Sequence, residues 1–388
     1  MTERVERTTG SRGAVVEFDK VTKRYAGGKG DPAAVQELSI RIPGGEICAL
    51  VGPSGCGKTT TLKMVNRLVE PSSGRILLDG EDIGRRNPVE LRRGIGYVIQ
   101  QTGLFPHRTI GDNVATVPGL LGWDKARIRR RVDELIELVG LDPAKYRDRY
   151  PLQLSGGERQ RIGVARAIAV DPPVLLMDEP FGAVDPITRE RLQNEFLRLQ
   201  RQLATTILFV THDIDEAIKM GERVAVFKPG GRLAQFDTAE TVLESPADEF
   251  VARFVGADRG LKRLSLSRVK DVALEHPATV RVGDDTATIE RQLDRASTPY
   301  VLMVDEQDRP VGWLWRQDLG RGPVGPERAS SPEPLLDPES TLRDALSAML
   351  GSAVQEGLVV DSAGKLLGSV SVELVGSVLR REPLASGQ

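Results

Sequence analysis

The residues with the clearest chemical meaning form a glycine-rich loop, Gly52-Pro53-Ser54-Gly55-Cys56-Gly57-Lys58-Thr59-Thr60. The loop fits the pattern G-x-x-x-x-G-K-[ST] at every fixed position. Glycines let backbone N–H groups converge on phosphate oxygens, Lys58 supplies a positive charge, and the Thr59 hydroxyl suits Mg²⁺. Thr60 opens the following helix, whose N-terminus also favours anions. The loop therefore predicts a nucleoside triphosphate site.

Two adjacent carboxylates, Asp178 and Glu179, follow the apolar run 174–177. Buried carboxylates are costly unless they are paired or bound to a metal. Asp178 beside Mg²⁺ would be one such arrangement, and Glu179 could polarise a water toward the terminal phosphate. The alternative is that the two carboxylates only cap the end of a strand.

A second glycine-rich turn, Ser155-Gly156-Gly157-Glu158, precedes a helical pattern. The spacing S-x-x-E is typical of a capping box at a helix N-terminus. The second interpretation is an anion site, where glycines allow close approach of the backbone to phosphate. A capping box alone does not explain two glycines, since each costs about 1 kcal/mol of helix stability relative to alanine.

Three apolar runs must position these residues: 47–51, 174–177 and 206–210. Each is followed by polar residues, as in parallel strands whose carboxyl ends hold a ligand. Residues 14–245 are therefore predicted to form an α/β domain, with a helical subdomain at about 100–165. Residues 1–13 are predicted to be a disordered tail that lacks the apolar segment of a signal peptide.

The composition excludes several classes of protein. The 388 residues carry a formal net charge of −2, which argues against a nucleic-acid partner. No apolar run approaches the length of a membrane span, so a membrane role would need a partner. The cysteines, Cys48 and Cys56, are predicted to be reduced thiols in a cytosolic protein.

The C-terminal part contains an internal repeat. Val304-Asp305 with Gly312 recurs as Val360-Asp361 with Gly368, and the offset is 361 − 305 = 368 − 312 = 56. This repeat predicts two α+β modules, at 271–322 and 332–382, after a linker at 246–270 with a helix around 250–255. The alternative is a chance similarity between two α/β fragments.

The combined motifs in residues 14–245 resemble those of the ATP-binding cassette (ABC) ATPases. The resemblance implies a P-loop ABC core that binds ATP and Mg²⁺ and forms a head-to-tail homodimer. In such a dimer, Ser155, Gly156, Gly157 and Glu158 act in trans on the partner's ATP. Further roles are implied for single residues: adenine stacking by Tyr25, Mg²⁺ contact by Gln100 with Gln101 as the rival, interface contact by Asp185, and catalysis by Glu179 and His212. Alternatives are a core or surface tyrosine at Tyr25, an N-cap at Asp185 and a structural role for His212.

A narrower resemblance involves residues 100–107, 117–123 and 258–263. These look like the ATPase subunits of bacterial importers for glycine betaine, choline and carnitine, which end in a tandem pair of CBS modules. The resemblance implies a translocase subunit on the cytoplasmic face of the plasma membrane, with permease subunits and a substrate-binding protein as partners. The alternatives are an importer ATPase for another small solute and a non-transport ABC ATPase.

CBS pairs often bind adenine nucleotides, which makes a regulatory nucleotide an expectation here. The family pattern is Gly, then Thr or Ser three residues on, then Asp six residues on. The first copy offers Gly312, Trp315 and Asp318, and the second offers Gly368, Ser371 and Leu374. Neither copy is complete, so the sequence leaves open nucleotide binding, sensing of ionic strength, a cyclic dinucleotide, or dimerisation alone.

Overall fold

The computed structural model describes residues 13–25, 33–99, 103–182, 185–320 and 322–380. Residues 1–12 of the predicted tail, and the rival glutamines Gln100 and Gln101, lie outside these ranges. The chain divides into two compact units, Met1–Gly256 and Ala257–Gln388. No helix within the described ranges combines the length and apolar character needed to cross a membrane.

The first unit is α/β. Its strands are β1 (Val16–Lys23), β2 (Val35–Ile42), β3 (Ile47–Val51), β4 (Ser73–Leu78), β5 (Glu81–Asp82), β6 (Ile95–Val98), β7 (Val174–Asp178), β8 (Thr206–Thr211), β9 (Arg223–Lys228) and β10 (Arg232–Thr238). Its helices are α1 (Lys58–Val65), α2 (Pro88–Arg93), α3 (Ile110–Val114), α4 (Thr116–Leu120), α5 (Lys125–Leu138), α6 (Pro143–Tyr146), α7 (Gly156–Ala167), α8 (Pro186–Leu203), α9 (Ile214–Met220), α10 (Ala239–Glu244) and α11 (Glu249–Val255).

The three predicted apolar runs form the centre of a six-stranded sheet with the order β10-β9-β3-β8-β7-β6. Strand β8 lies between β3 and β7 and pairs with both in parallel. Val51 is opposite Thr211, and Asp178 is opposite Val210. The carboxyl ends of these strands therefore meet at one edge of the sheet, as the sequence predicts.

A separate antiparallel sheet, with the order β2-β1-β4-β5, ends near Tyr25, two residues beyond β1. A single apolar core contains buried residues of this sheet, of α1 and of the parallel sheet, among them Phe18, Leu62 and Leu50. Burying a side chain of this size contributes about 1.5–3 kcal/mol. This shared core fixes α1, and the loop that precedes it, between the two sheets.

Between β6 and β7 the described chain is mainly helical, and α3, α5 and α7 pack on one another. Helix α5 buries one face through Val132, Leu135 and Ile136. This amphipathic pattern is why the segment forms helices around a small core of its own. The boundaries of the subdomain, about 100–165, stay a prediction.

The segment expected to be a linker, 246–270, contains the helix predicted around 250–255 and has further ordered structure. It contains α11 and, in the second unit, α12 (Arg259–Arg263). Val251 and Val255 are fully buried in the first unit. Leu264 and Val269 belong to the core of the second unit. Buried apolar side chains make both ends of this segment parts of folded units.

The second unit contains the predicted repeat. Its strands are β11 (Thr279–Arg281), β12 (Tyr300–Val304), β13 (Pro310–Trp315), β14 (Leu335–Leu336), β15 (Glu356–Val360) and β16 (Leu366–Ser371), and its remaining helices are α13 (Thr286–Ala296), α14 (Leu342–Leu350) and α15 (Val372–Arg380). They form two sheets of the same design, β11-β12-β13 and β14-β15-β16. The offset of 56 holds strand by strand, since 356 − 300 = 366 − 310 = 56.

The two modules of the second unit are interlocked. Trp313 of the first module pairs with Ser330, which lies before β14, and Ser369 of the second module pairs with Glu275, which lies before β11. Trp313 also lies in a small apolar cluster with Leu358 of the other module. The modules therefore form one pseudo-symmetric body.

Candidate functional site

The phosphate loop runs from β3 to α1 with glycines that the fold requires. Gly57, the N-cap of α1, has φ 95°, and a Cβ there would lie 2.0 Å from the Ala34 carbonyl oxygen. Gly52 has φ 149°, and its Cβ would lie 2.4 Å from the Phe227 carbonyl oxygen. Any larger residue would push the loop away from its own chain, so these glycines set its path.

Lys58 is held inside the loop and is 7% exposed. Its Nζ donates to the carbonyl oxygens of Gly52 at 2.7 Å and Pro53 at 3.0 Å. Its third neighbour is the Cys56 thiol, with Sγ at 3.6 Å from Nζ. Burial raises the pKa of that thiol, so it is a neutral and weak partner for the ammonium. An anion at the loop would find the Lys58 charge already positioned.

Thr59 and Asp178 connect the loop to the end of β7. The Thr59 hydroxyl donates to Asp178 Oδ1 at 2.9 Å. Burial raises the pKa of Asp178, the Thr59 hydrogen bond lowers it, and the nearby Glu179 charge raises it again. A hydroxyl and a carboxylate in contact are the hard oxygen donors that Mg²⁺ prefers. These two residues therefore fit the predicted metal site.

Glu179 and His212 meet at the same edge of the sheet. The Glu179 N–H donates to the Val210 carbonyl oxygen at 3.0 Å. Its φ of 46° is unusual for a residue other than glycine, and such strain is concentrated at functional sites. Glu179 Oε1 lies 3.4 Å from His212 Nδ1, and the His212 side chain is 62% exposed. The carboxylate therefore lies where a water molecule can reach it.

A buried group behind His212 was missed in the sequence. Glu216 is 8% exposed and accepts hydrogen bonds from the Thr211 hydroxyl and, at 3.1 Å, from Gln193 Nε2. The Asp213 N–H donates to Thr211 Oγ1 at 3.1 Å. Glu216 thus anchors the residues on both sides of His212. The sequence did contain a signal for this residue, namely a carboxylate four positions after a candidate histidine, on a short amphipathic helix.

Tyr25 lies beside the phosphate loop and is 53% exposed. Its hydroxyl is 3.4 Å from Thr60 Oγ1, and the Lys23 ammonium lies 5.2 Å from the centre of its ring. An exposed aromatic ring at this place can stack on a planar base. Its role in adenine binding stays a prediction.

The Ser155–Glu158 turn contains the predicted capping box. The Glu158 N–H donates to Ser155 Oγ at 3.3 Å, and the Ser155 N–H donates to Glu158 Oε2 at 2.7 Å. Tyr146, which no motif indicated, donates its hydroxyl to Glu158 Oε1 at 2.6 Å and is the main reason why the pKa of Glu158 is lowered. No hydrogen bond or ion pair among the described residues joins this turn to the phosphate loop of its own chain.

The two glycines of this turn differ. A Cβ on Gly157 would lie 3.2 Å from the Thr188 methyl group, whereas a Cβ on Gly156 would meet nothing within 4 Å. The described part of the chain therefore gives no packing reason for Gly156. Close approach by a group from outside the chain would give one.

Asp185 is the N-cap of α8. Its side chain accepts from the Thr188 N–H at 3.1 Å, and Pro186 occupies the first turn. The capping alternative is therefore confirmed, while a role at a dimer interface stays a prediction. The implied Mg²⁺ contact by Gln100 falls outside the described residues.

Comparisons with known proteins agree with this arrangement. A family model described as "ABC transporter" matches residues 35–182, and one described as "CBS domain" matches residues 328–374. The first match contains the phosphate loop, the turn at 155–158 and both carboxylates at the end of β7. The second covers most of the second repeat.

Relatives match along nearly the whole chain. The osmoprotectant import ATP-binding protein OsmV of Salmonella typhimurium is 45% identical over 368 residues, which are 94% of this chain and 96% of that protein. The glycine betaine/carnitine/choline transport ATP-binding protein OpuCA of Bacillus subtilis is 45% identical over 363 residues, 92% and 94% of the two chains. Among solved structures, a dimeric ATP-binding cassette in a post-hydrolysis state with ADP and Pi matches with a TM-score of 0.53 and 32% identity, over 58% of this chain and 98% of that one.

Proposed function

This chain belongs to the ATP-binding subunits of ABC importers, and from that premise we propose that it hydrolyses ATP to drive uptake of a quaternary ammonium osmolyte. The contact of Thr59 with Asp178 is the observation that best supports ATP hydrolysis, because it joins the phosphate loop to the carboxylate at the end of β7. The identity of 45% to importer subunits over most of the chain supports the transport part.

The phosphate loop binds and orients the triphosphate. Lys58 is close enough to exchange its weak thiol neighbour for a phosphate oxygen while the carbonyls of Gly52 and Pro53 keep it in place. The backbone N–H groups of the loop and the N-terminus of α1 add further donors to phosphate. Tyr25 supplies a ring for the adenine.

Thr59 and Asp178 would hold Mg²⁺, with Gln100 as the third contact. When bound, the metal would neutralise charge on the phosphate oxygens. Glu179 orients the attacking water and takes up its proton, while His212, at 3.4 Å from Glu179, fixes the carboxylate and faces the terminal phosphate. Most of the rate acceleration then comes from positioning and charge neutralisation.

The homodimer completes each site. Ser155, Gly156, Gly157 and Glu158 of one copy would close on the ATP that is held by the other, and Asp185 would lie at the interface. The empty space beside Gly156 supports this proposal, since it leaves room for close approach from outside the chain.

The remaining assignments follow from the relatives. Permease subunits would anchor the dimer at the cytoplasmic face of the plasma membrane, and a substrate-binding protein would deliver glycine betaine, choline or carnitine. The CBS pair would regulate transport, with a nucleotide as one candidate ligand. Domain limits of 14–245, 271–322 and 332–382 are proposed on the same grounds.

The test of the catalytic assignment is Glu179→Gln. We expect unchanged ATP binding by the purified chain but turnover at least about 10²-fold slower in the reconstituted complex, because the base is lost. The matched control is Glu190→Gln, an exposed residue on α8. Normal turnover in Glu179→Gln would reject this role.

The test of the solute is ATP hydrolysis by the complex of ATPase, permease and binding protein in liposomes. We expect stimulation when glycine betaine or a related quaternary amine is added on the side of the binding protein. Hydrolysis without stimulation by any such compound would remove the solute assignment and leave the ATPase assignment intact.

A further inference from the structure

A cleft of about 600 Å³ lies between the two modules of the second unit. Tyr300 and Trp313 contribute from the first module, and Glu356 and Ser369 contribute from the second. These are equivalent positions in the repeat, because 356 − 300 = 369 − 313 = 56. We call this cavity the first cleft. Its volume is within the range of small-molecule sites.

Aromatic rings and carboxylates form one side of the first cleft. The Tyr300 ring packs in T-shaped contact against Trp313 at 5.3 Å and Trp315 at 5.2 Å between ring centres. The Tyr300 hydroxyl donates to Glu356 Oε1 at 3.0 Å, which holds this carboxylate beside the aromatic rings. Glu275 and Glu373 also line the cleft. Aromatic rings with nearby carboxylates are the usual environment for quaternary ammonium groups.

The first cleft also offers groups that need an anion or another acceptor. Trp313 is 2% exposed, and its indole Nε1–H is buried without a hydrogen-bond partner in the described part of the chain. An unpaired buried donor is costly and needs an explanation, and an acceptor group on a ligand would supply one. The Arg295 guanidinium lines the same cleft. The cleft therefore combines sites for a positive and a negative group.

A second cleft, of about 650 Å³, lies at the equivalent place in the repeat and is chemically different. It is also bordered by Trp313, but Gly351 occupies the position equivalent to Arg295, since 351 − 295 = 56. Its other residues are mostly small or apolar, and Glu333 is the charged residue among the described lining. The described lining of the first cleft thus combines three carboxylates, an arginine and two aromatic rings, whereas that of the second has one aromatic ring and one carboxylate.

We propose that the first cleft binds a small zwitterion that carries both a quaternary ammonium and a carboxylate group. The ammonium would lie against Tyr300 and Glu356, and the carboxylate would accept from Trp313 Nε1–H and Arg295. The inference rests on the proposed function, because such a zwitterion is a candidate for the imported solute. The ATPase subunit would then carry its own sensor for accumulated solute.

A nucleotide fits this cleft less well. The described lining carries three carboxylates against two basic groups. The carboxylates belong to Glu275, Glu356 and Glu373, and the basic groups belong to Arg295 and His276. A phosphate would bring at least one further negative charge toward these carboxylates, and the repulsion between like charges would weaken its binding. A zwitterion adds no net charge.

The test is equilibrium binding of radiolabelled glycine betaine to the purified full-length chain, without permease or binding protein. We expect saturable binding of one molecule per chain, and weaker binding of choline, which lacks the carboxylate. Arg295→Gln should weaken glycine betaine about tenfold and leave choline unchanged, because one charge-assisted hydrogen bond is lost. Glu356→Gln should weaken both ligands, and Glu333→Gln, in the second cleft, is the matched control.

Arg295 is exposed, so its variant keeps the test decisive even if Glu356→Gln fails to fold. Absence of saturable glycine betaine binding would overturn the inference, as would equal effects of Glu356→Gln and Glu333→Gln. AMP binding that depends on Glu356, in the absence of glycine betaine binding, would also overturn it. In each case solute-stimulated ATP hydrolysis in liposomes would still report separately on the proposed function.

Discussion

Replacing Glu216 tests whether this buried carboxylate positions His212, for which we propose a catalytic role. Glu216 accepts from Thr211 and Gln193, which are 1% and 5% exposed. Thr211 in turn accepts from the Asp213 N–H at 3.1 Å. His212 therefore lies on a short segment whose two ends depend on one carboxylate.

The expected loss of folding free energy follows from the number of hydrogen-bond donors that the substitution leaves without an acceptor. Glu216→Ala leaves two buried donors unpaired, at about 1–3 kcal/mol each, or about 2–6 kcal/mol in total. This is a large part of the about 5–15 kcal/mol that stabilises a typical domain. Glu216→Gln keeps an amide oxygen and an N–H₂ group at the same place, so we expect a change within about 1 kcal/mol.

The assays are thermal unfolding of the purified chain and ATP hydrolysis by the reconstituted complex. Glu216→Ala should lower the unfolding temperature of the ATPase unit and reduce turnover about tenfold to hundredfold, since small displacements of catalytic groups are costly. Glu240→Ala, an exposed residue in the first turn of α10, is the matched control. Turnover and unfolding temperature equal to the wild type in Glu216→Ala would refute the reasoning.

Glu216 should also make the stability of the folded protein depend on pH. Burial raises the pKa of Glu216 above its ordinary value of 4.5, against the hydrogen bonds from Thr211 and Gln193. The folded state then holds the proton more tightly than the unfolded state, so stability falls as the pH rises from about 4.5 toward the raised pKa. Glu216→Gln lacks this proton, and its stability relative to the wild type should therefore increase over that interval in unfolding curves at several pH values.

Three further predictions concern the two glycine-rich loops. Tyr146→Phe removes the hydroxyl that holds Glu158, so we expect turnover of the complex about fivefold lower with unchanged ATP binding by the isolated chain; Tyr150→Phe is the control, and equal turnover in the two variants would contradict the role. Gly156→Ala should leave the unfolding temperature unchanged or raised, since its Cβ meets nothing, yet reduce turnover; full turnover would argue against approach by a partner. Gly57→Ala should lower the unfolding temperature itself, as its Cβ would clash with backbone, and a stable Gly57→Ala protein would contradict the loop geometry.

The sequence predicted the parallel sheet because its signal is local. Runs 47–51, 174–177 and 206–210 are continuous apolar segments of strand length, and each forms a strand within one residue of the expected limits. Local spacing also predicted the capping box and the repeat, because both are patterns of residues along the sequence itself. The observed order of strands adds what spacing cannot give, namely that β8 lies between β3 and β7.

Contacts between distant segments could not be predicted. Tyr146 contacts Glu158 across a loop, and Gln193 contacts Glu216 from another helix, at 3.1 Å. Neither tyrosine nor glutamine has a spacing rule that would point to such a partner. The sequence did not show that the ends of the expected linker, 246–270, pack into folded units. Val251 and Leu264 are buried there, and that burial depends on residues far away in the sequence.

The glycines of the phosphate loop and of the Ser155–Glu158 turn look alike in the sequence. The structure shows that they are needed for different reasons. A Cβ at Gly52 or Gly57 would collide with backbone of the same chain, so the fold alone explains both residues. A Cβ at Gly156 would collide with nothing, although glycine at the start of a helix costs stability relative to alanine. A cost without an internal reason points to a requirement outside the chain. Of all the features of the site, Gly156 is therefore the strongest structural argument that each ATP is enclosed by two copies.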